Sequence, residues 1–256
     1  MDLLNSTSSK VLAFLFLGFG LIGDSNSSAR LLNCGEKVCH VLIEGVINQS
    51  DPENLDIIFD AIGNSNLAII NLNSRGGDVE ASLAMGRAIR ARNSLTSVPS
   101  DATCASACVF VLAAGVNKSV LGAVAVHRPY MGEVGDFSSE YIKKRHNQIK
   151  TTVQQYLSEM NVPKNLYEFM YSIKPEESYR LSNEELRQFM LVGSDPVYSE
   201  RMSAKKAARL GITRIRLMEL ENYCLSSVAG KNIYSDENSL KVYVDCMSRI
   251  ENGFLK

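Results

Sequence analysis

The sequence predicts an α/β domain built around a mainly parallel sheet. Predicted strands and helices alternate along the first half of the chain, an order that right-handed crossovers turn into one sheet. Leu67–Asn73 (LAIINLN) is a continuous apolar strand of the kind that parallel sheets bury on both faces. With 256 residues, 45% of them hydrophobic, the chain can bury the core of one such domain with an appendage.

The elements of this domain are read from apolar periodicity, glycines and helix-start residues. In chain order they are a strand over Val38–Ile47, a helix over Pro52–Gly63 opened by Asp51, the buried strand over Leu67–Asn73, a helix from about Asp78 to Arg92, a strand over Leu95–Val98, a helix from Ser106 to Gly115 and a strand over Val120–Val126.

The second half of the chain is predicted to be helical. A glycine-bearing loop over Pro129–Phe137 precedes a long polar helix over Ser138–Met160, which we expect to project from the body or to pack on another subunit. Two later segments each place a serine at a helix start, Ser182 with a capping box and Ser203, and suggest a local duplication. We expect the α/β domain over residues 30–212 and a helical extension over residues 213–256.

The N-terminus has the pattern of a signal peptide. Lys10 precedes an apolar run over residues 11–23, which has the length of a signal h-region and is short for a membrane-spanning helix. Small residues at Ser27 and Ala29 predict cleavage after Ala29, so that residues 1–29 are removed. We therefore expect an exported protein, periplasmic or secreted, that meets a membrane only if this segment stays uncleaved.

Export changes the interpretation of the cysteines. An even number of cysteines in an exported chain predicts disulfides, and these six fall into three neighbourhoods. The simplest pairing is Cys34–Cys39, Cys104–Cys108 and Cys224–Cys246. Zinc binding is the alternative, but the chain has no CxxC motif and no histidine at finger spacing, so we expect no metal.

Three segments carry residues suited to acyl transfer. Ser106 stands at the start of the apolar run CASACVFVLAAG, His127 ends the segment SVLGAVAVHRPY, and Gly76-Gly77 follow a strand in NLNSRGGDVEASLAMG. A serine hydroxyl needs a base to accept its proton, and glycine turns and helix starts present backbone N–H groups to an oxyanion. We predict Ser106 as nucleophile, His127 as base, and the amides of Gly77 and Ala107 as oxyanion hole.

Each of these residues also has a structural interpretation. A serine before an apolar helix is commonly a helix cap, and a histidine at a strand end is commonly structural. The order and combination of the three segments, rather than any one of them, favour catalysis.

Taken together, these segments resemble the Clp protease proteolytic subunit family. SACVFVLAAG resembles its nucleophile segment, NLNSRGGDVEASLAMG its glycine turn with Arg75 in place of proline, and VHRPY its histidine segment. The polar helix resembles the helix through which that family's rings pair, and YRLSNEELRQFMLV resembles its last motif. The resemblance covers about residues 38–212. It implies a crotonase-like spiral of ββα units, homo-oligomers, and peptide hydrolysis by a serine, a histidine and an acid.

The acid is the point at which the chain departs from this family. The matching position is Ser178 in the first of the two later segments and Ser199 in the second, and neither is acidic. The first segment lies closer to the family's separation from the histidine, so we predict that Glu177 takes the role, because a triad tolerates glutamate for aspartate. Glu176, Glu200 or no acid at all remain open.

These features predict an exported serine-type peptidase that acts on peptides or proteins without a cofactor. The alternative is a catalytically inactive member of the fold that serves as an oligomeric binding scaffold. The net charge of −1 gives no electrostatic footprint for nucleic acid.

Overall fold

The computed structural model describes residues 28–63, 66–128, 139–174, 177–229 and 237–255. The predicted signal segment up to residue 27 and the predicted loop over Pro129–Phe137 lie outside these ranges. Within them the strands are β1 Ala29–Cys34, β2 Val38–Ile47, β3 Leu67–Gly77, β4 Leu95–Val98, β5 Thr103–Ala105, β6 Asn117–Val120, β7 Ala123–Val126, β8 Tyr179–Arg180 and β9 Gly193–Ser194. The helices are α1 Asp51–Ile62, α2 Val79–Ala91, α3 Cys108–Ala113, α4 Ser139–Glu159, α5 Asn165–Ser172, α6 Asn183–Gln188, α7 Pro196–Leu210, α8 Arg214–Ser226 and α9 Glu237–Glu251.

Strand β3 organises a mainly parallel sheet, which confirms the predicted α/β class. One edge of β3 pairs with β2 in parallel along its whole length. The other edge pairs first with β4, through Ile69–Asn71, and then with β5, through Ser74. Two arms therefore leave β3, one continuing through β6 to β9 and the other through β7 to β8. The antiparallel strands β1, β8 and β9 lie at the ends of these paths.

Strand β3 is not buried on both faces as its apolar run predicts. Ala68, Ile70 and Leu72 are buried on one face, whereas Ile69 and Asn71 on the other face are half-buried. The sequence pattern could not show this, because an apolar residue does not reveal how completely the second face is covered.

The single strand predicted over Val120–Val126 is two strands, β6 and β7. The chain turns between them because the N–H groups of Leu121 and Gly122 both donate to the carbonyl oxygen of Val98, at 2.9 and 3.1 Å. As a result β6 pairs with β4, and β7 pairs with β5 in the other arm. This turn places the end of β7 beside the start of α3.

Strand β1 is not predicted from the sequence, and it is tied to the start of α1. The buried carboxylate of Asp51 accepts hydrogen bonds from the N–H of Ser28 at 2.8 Å and from its hydroxyl at 2.6 Å. Ser28 and Ala29 are themselves buried, and Ala29 pairs with Ile43 of β2. Cleavage after Ala29 would therefore remove part of the folded unit.

The long polar helix is present as α4 and packs on the core through its second half. Val153, Tyr156 and Leu157 are buried, and the hydroxyl of Tyr156 donates to the carbonyl oxygen of Phe110 in α3 at 2.7 Å. Burial raises the pKa of Tyr156 well above its ordinary range, so the hydroxyl stays a donor. The first half of α4 is largely exposed.

Of the two predicted helix starts, Ser182 is confirmed and Ser203 is wrong. Ser182 forms the predicted capping box with Glu185. Ser203 is wrong as a helix start, because it lies inside α7, which begins after Asp195 with Pro196 in its first turn. Asp195 accepts a hydrogen bond from the N–H of Tyr198 and thereby starts the helix earlier. The predicted duplication is therefore absent from this part of the chain.

The C-terminal helices have a small core of their own. Its buried members are Ala207, Leu210, Leu217, Leu220, Cys224 and Ile250. Because Ala207 and Leu210 belong to α7, this core includes residues on both sides of the boundary predicted at residue 212. No helix among the described residues has the length and apolar character needed to span a membrane.

Candidate active site

The ends of β3, β5 and β7 meet around one cavity of about 350 Å3. The cavity is lined by Val46, Arg75, Gly76, Gly77, Val79, Ser106, Ala107, Phe110, His127 and Met170. The candidate nucleophile, base and oxyanion-hole residues are thus brought together, because β3, β5 and β7 are neighbours in the sheet. Glu177 is not among the lining residues.

Ser106 lies in a strained turn between β5 and α3. The prediction that it begins the helix is wrong by two residues, since α3 begins at Cys108 and Ser106 has a left-handed φ of 55°. Its N–H donates to the carbonyl oxygen of Ala125 in β7 at 3.0 Å, and its carbonyl oxygen accepts from Val109 at 3.0 Å. Such a conformation is uncommon outside glycine and is concentrated at functional sites.

The prediction that Gly76 and Gly77 form a turn after the strand is wrong, because both belong to β3 and pair with β2. This glycine end of β3 lies directly against the Ser106 turn. A Cβ atom on Gly76 would lie 2.8 Å from the backbone nitrogen of Ala107 and 2.8 Å from Cβ of Ser106. Only glycine permits this approach, and the φ of +90° at Gly76 also favours it. The N–H of Gly76 donates to Ser74 Oγ at 3.1 Å. The role of Gly77 as an oxyanion donor stays a prediction.

His127 directly follows β7, and its ring is oriented by backbone. Nδ1 lies 2.8 Å from the carbonyl oxygen of Arg128. A carbonyl oxygen only accepts hydrogen bonds, so Nδ1 carries the proton and the neutral ring keeps a lone pair on Nε2. Nε2 is therefore the nitrogen able to accept a proton from a nucleophile.

Arg128 is itself fixed by helix α5. Its Nε donates to the carbonyl oxygen of Tyr171 at 2.8 Å, and its guanidinium carbon lies 4.7 Å from the centre of the Tyr171 ring. These contacts anchor the backbone that carries the partner of His127. The sequence analysis missed this role, because a backbone carbonyl has no sequence signal.

The candidate acids occupy different surroundings. Glu177 is exposed, and its carboxylate lies 3.0 Å from Lys174 Nζ. Glu200 lies on α7 and pairs with Arg214 at 3.0 Å. Glu176 lies outside the described residues. The role of Glu177 as the acid stays a prediction.

The predicted disulfide pairing is confirmed. Cys34–Cys39, Cys104–Cys108 and Cys224–Cys246 are bonded, so the zinc alternative for these cysteines is wrong. The buried Cys104–Cys108 bond joins the end of β5 to the start of α3, across the turn that holds Ser106. Among the residues that the structure describes, no group of three or more His, Cys, Asp or Glu side chains is arranged to hold a metal ion.

Comparisons with known proteins give a likeness of structure only. No family model matches the chain, and no curated protein matches it. Among 501 matching chains of solved structures is the S97A mutant of 1510-N, a membrane-bound stomatin-specific protease. The match has 18% identity and a TM-score of 0.47, and it covers 67% of this chain and 86% of that one.

Proposed function

We propose that this chain is an exported serine hydrolase that cleaves peptide bonds, on a crotonase-like fold resembling that of Clp protease proteolytic subunits. One observation carries the proposal. Ser106, in a left-handed turn, shares a cavity with His127 and with Gly76-Gly77 at the end of β3, which lies against the Ser106 backbone. This is the constellation of nucleophile, base and amide donors that acyl transfer requires.

The reaction follows from these positions. Ser106 Oγ attacks the scissile carbonyl carbon while His127 Nε2 takes the hydroxyl proton. The N–H groups of Gly77 and Ala107 stabilise the oxyanion, and the imidazolium passes its proton to the leaving amine. Water, deprotonated by His127, then attacks the acyl-enzyme and releases Ser106 and the carboxylic acid product.

The imidazolium formed in each step needs an orienting partner on Nδ1. The Arg128 carbonyl supplies one, and a carbonyl dipole can hold the ring although it offers less charge stabilisation than a carboxylate. We keep Glu177 as the candidate acid, which would have to leave Lys174 in order to act.

Export is supported by the cysteine chemistry. Three disulfides are typical of an oxidising compartment and rare in the cytosol, which agrees with the signal pattern of residues 1–29. The exposed, polar first half of α4 supports the proposal that copies of the chain associate.

A fluorophosphonate probe tests the proposal. The protein is expressed with its own leader, recovered from an oxidising compartment and treated with the probe alongside Ser106→Ala and His127→Ala. We expect covalent labelling of the unchanged protein, none of Ser106→Ala and at least about 100-fold slower labelling of His127→Ala. Ser119→Ala is the matched control, since Ser119 is exposed on β6 and does not line the cavity, and it should label normally.

The second candidate is a non-catalytic oligomeric scaffold. It is favoured by the exposed ion pair of Glu177 with Lys174, which leaves the predicted acid engaged elsewhere. Absence of labelling in every variant, together with a stable oligomer in solution, would support this scaffold and overturn the enzyme.

A further inference from the structure

We propose that Arg75 makes this site select peptides that carry a carboxylate side chain beside the bond to be cleaved. The inference rests on the proposed function and deepens it by naming a substrate class. It begins from a local irregularity of the sheet. Gly45 pairs with Ser74 and Val46 pairs with Gly76, so Arg75 is the extra, unpaired residue of a β-bulge in β3.

Arg75 lies on the exposed face of β3. Burial alternates along the end of this strand, with Ser74 and Gly76 buried and Arg75 between them exposed. Arg75 lines the same cavity as Ser106 and His127 while remaining exposed to solvent. A substrate bound at Ser106 would therefore lie within reach of the guanidinium.

The described lining of the cavity carries one permanent charge. Among the described residues that line it, Arg75 is the only one with a permanent charge. The remaining wall includes the apolar side chains Val46, Val79, Phe110 and Met170. An apolar wall with one cation fits a peptide that combines an apolar residue with a carboxylate.

Three carboxylates on the described elements beside Arg75 are engaged within the chain. Glu44 on β2 pairs with Arg30 at 3.0 Å, and Glu80 on α2 pairs with Arg145 at 2.6 Å. Asp78 caps α2 by accepting from the N–H of Ala81 at 2.8 Å. Within the described part of the chain, Arg75 has no ion pair, and its fork of donors is available to a carboxylate of the substrate.

Cleavage-site profiling tests the inference. A tryptic digest of a bacterial proteome is incubated with the unchanged protein, and the residues flanking new cuts are counted. A matched trio of fluorogenic peptides with Glu, Gln or Lys at the enriched position is then compared. We expect Glu to exceed Gln about 10-fold in kcat/KM, and the preference to fall as salt rises.

Three variants test whether the preference for Glu depends on Arg75 or on the general charge of the protein. Arg75→Gln should remove the preference for Glu, and Arg75→Glu should transfer it to Lys. Arg180→Gln is the control, because Arg180 is exposed on β8 beside β7 and does not line the cavity, and it should keep the preference. Equal cleavage of Glu and Gln peptides by the unchanged protein would overturn the inference.

Binding distinguishes failure of this inference from failure of the proposed function. The same labelled peptides are titrated into Ser106→Ala by fluorescence anisotropy, which needs no catalysis. Tighter binding of the Glu peptide, lost on adding Arg75→Gln, supports the inference even if fluorophosphonate labels nothing. Equal affinities with normal labelling overturn the selection by Arg75 and leave the hydrolase standing.

Discussion

At the residue scale, the site depends on backbone conformations that few residues adopt. Ser106 has a φ of 55°, and Gly76 has a φ of 90° beside it. The hydrogen bond from Ser106 N–H to the carbonyl oxygen of Ala125 fixes the backbone at Ser106. Because Gly76 has no side chain, its backbone can lie directly against this turn. The position of the Ser106 hydroxyl is therefore set by backbone packing.

A single added methyl group should disturb this packing. In Gly76→Ala the new Cβ would lie 2.7 Å from the Ala105 carbonyl oxygen and 2.8 Å from Ala107 N, so the Ser106 turn must shift. We expect fluorophosphonate labelling to slow about 100-fold, comparable to losing one oxyanion donor.

Gly193→Ala is the matched control for backbone strain. Gly193 has a similar φ of +86° but no atom within 4 Å of a built Cβ. Both variants lose about 1–2 kcal/mol to the left-handed conformation, but only Gly76→Ala should lose labelling. Equal labelling rates for the two variants would contradict the role given to Gly76.

At the scale of elements, covalent and buried polar links hold the segments that carry the site. The Cys104–Cys108 bond closes the turn between β5 and α3, whereas Cys224–Cys246 joins α8 to α9. The two bonds therefore serve different parts of the molecule and can be compared directly.

Removing the bond beside Ser106 should affect reactivity. In Cys104→Ala/Cys108→Ala we expect labelling of Ser106 to slow about 10-fold, because its strained turn is no longer closed covalently. In Cys224→Ala/Cys246→Ala we expect a loss of about 3 kcal/mol of unfolding free energy and normal labelling. Denaturant unfolding and probe kinetics on both variants measure the difference, and equal labelling would exclude control of Ser106 by its disulfide.

The contact between Ser28 and Asp51 gives a prediction about processing. A chain that begins at Arg30 loses both hydrogen bonds that Ser28 donates to the buried Asp51 carboxylate. We expect it to be less stable than a chain beginning at Ser28 by about 2–4 kcal/mol. Urea unfolding of the two chains measures this difference in the free energy of unfolding. With Asp51→Asn in both chains the difference should be smaller, because the substitution removes the buried charge.

The N-terminal mass of the purified protein provides a second measurement. We expect cleavage before Ser28 rather than after Ala29, since Ala29 is buried in β1. A mature chain beginning at Arg30 with full stability would contradict this.

At the scale of the whole molecule, one buried carboxylate joins distant segments. Asp195 accepts from Arg90 of α2 at 2.5 Å, from Asn161 at 2.8 Å and from Tyr198 N–H at 2.8 Å. Burial alone would raise the pKa of Asp195, but these hydrogen bonds outweigh it and hold the pKa below its ordinary value of 3.8.

This network predicts that part of the free energy of unfolding is lost at acidic pH. Because the pKa is lowered in the folded state, the stabilisation is complete above pH 3.8 and is lost as pH falls through the folded-state value. We expect Asp195→Asn to be less stable at pH 7 and to lose less stability below pH 3.8 than the unchanged protein. Thermal unfolding from pH 7 to pH 2 measures this, with exposed Asp56→Asn as control. Parallel curves for the unchanged protein and Asp195→Asn would contradict it.

Features encoded locally could be predicted from the sequence. The bounds of β2 and β4, the strand-end position of His127 and the pairing of neighbouring cysteines each depend on short stretches of chain. The resemblance in motif order also placed Ser106, His127 and Gly77 together, and they do line one cavity.

Features that depend on distant partners were decided by the tertiary structure. The left-handed turn at Ser106 follows from its bond to Ala125, the orientation of His127 from a backbone carbonyl, and the position of Arg75 beside the cavity from the pairing of β3 with its neighbours. By itself the sequence determined which chemical groups are present and the order in which they occur. The structure decided how they meet, because backbone hydrogen bonds and sheet register depend on residues far apart in the chain.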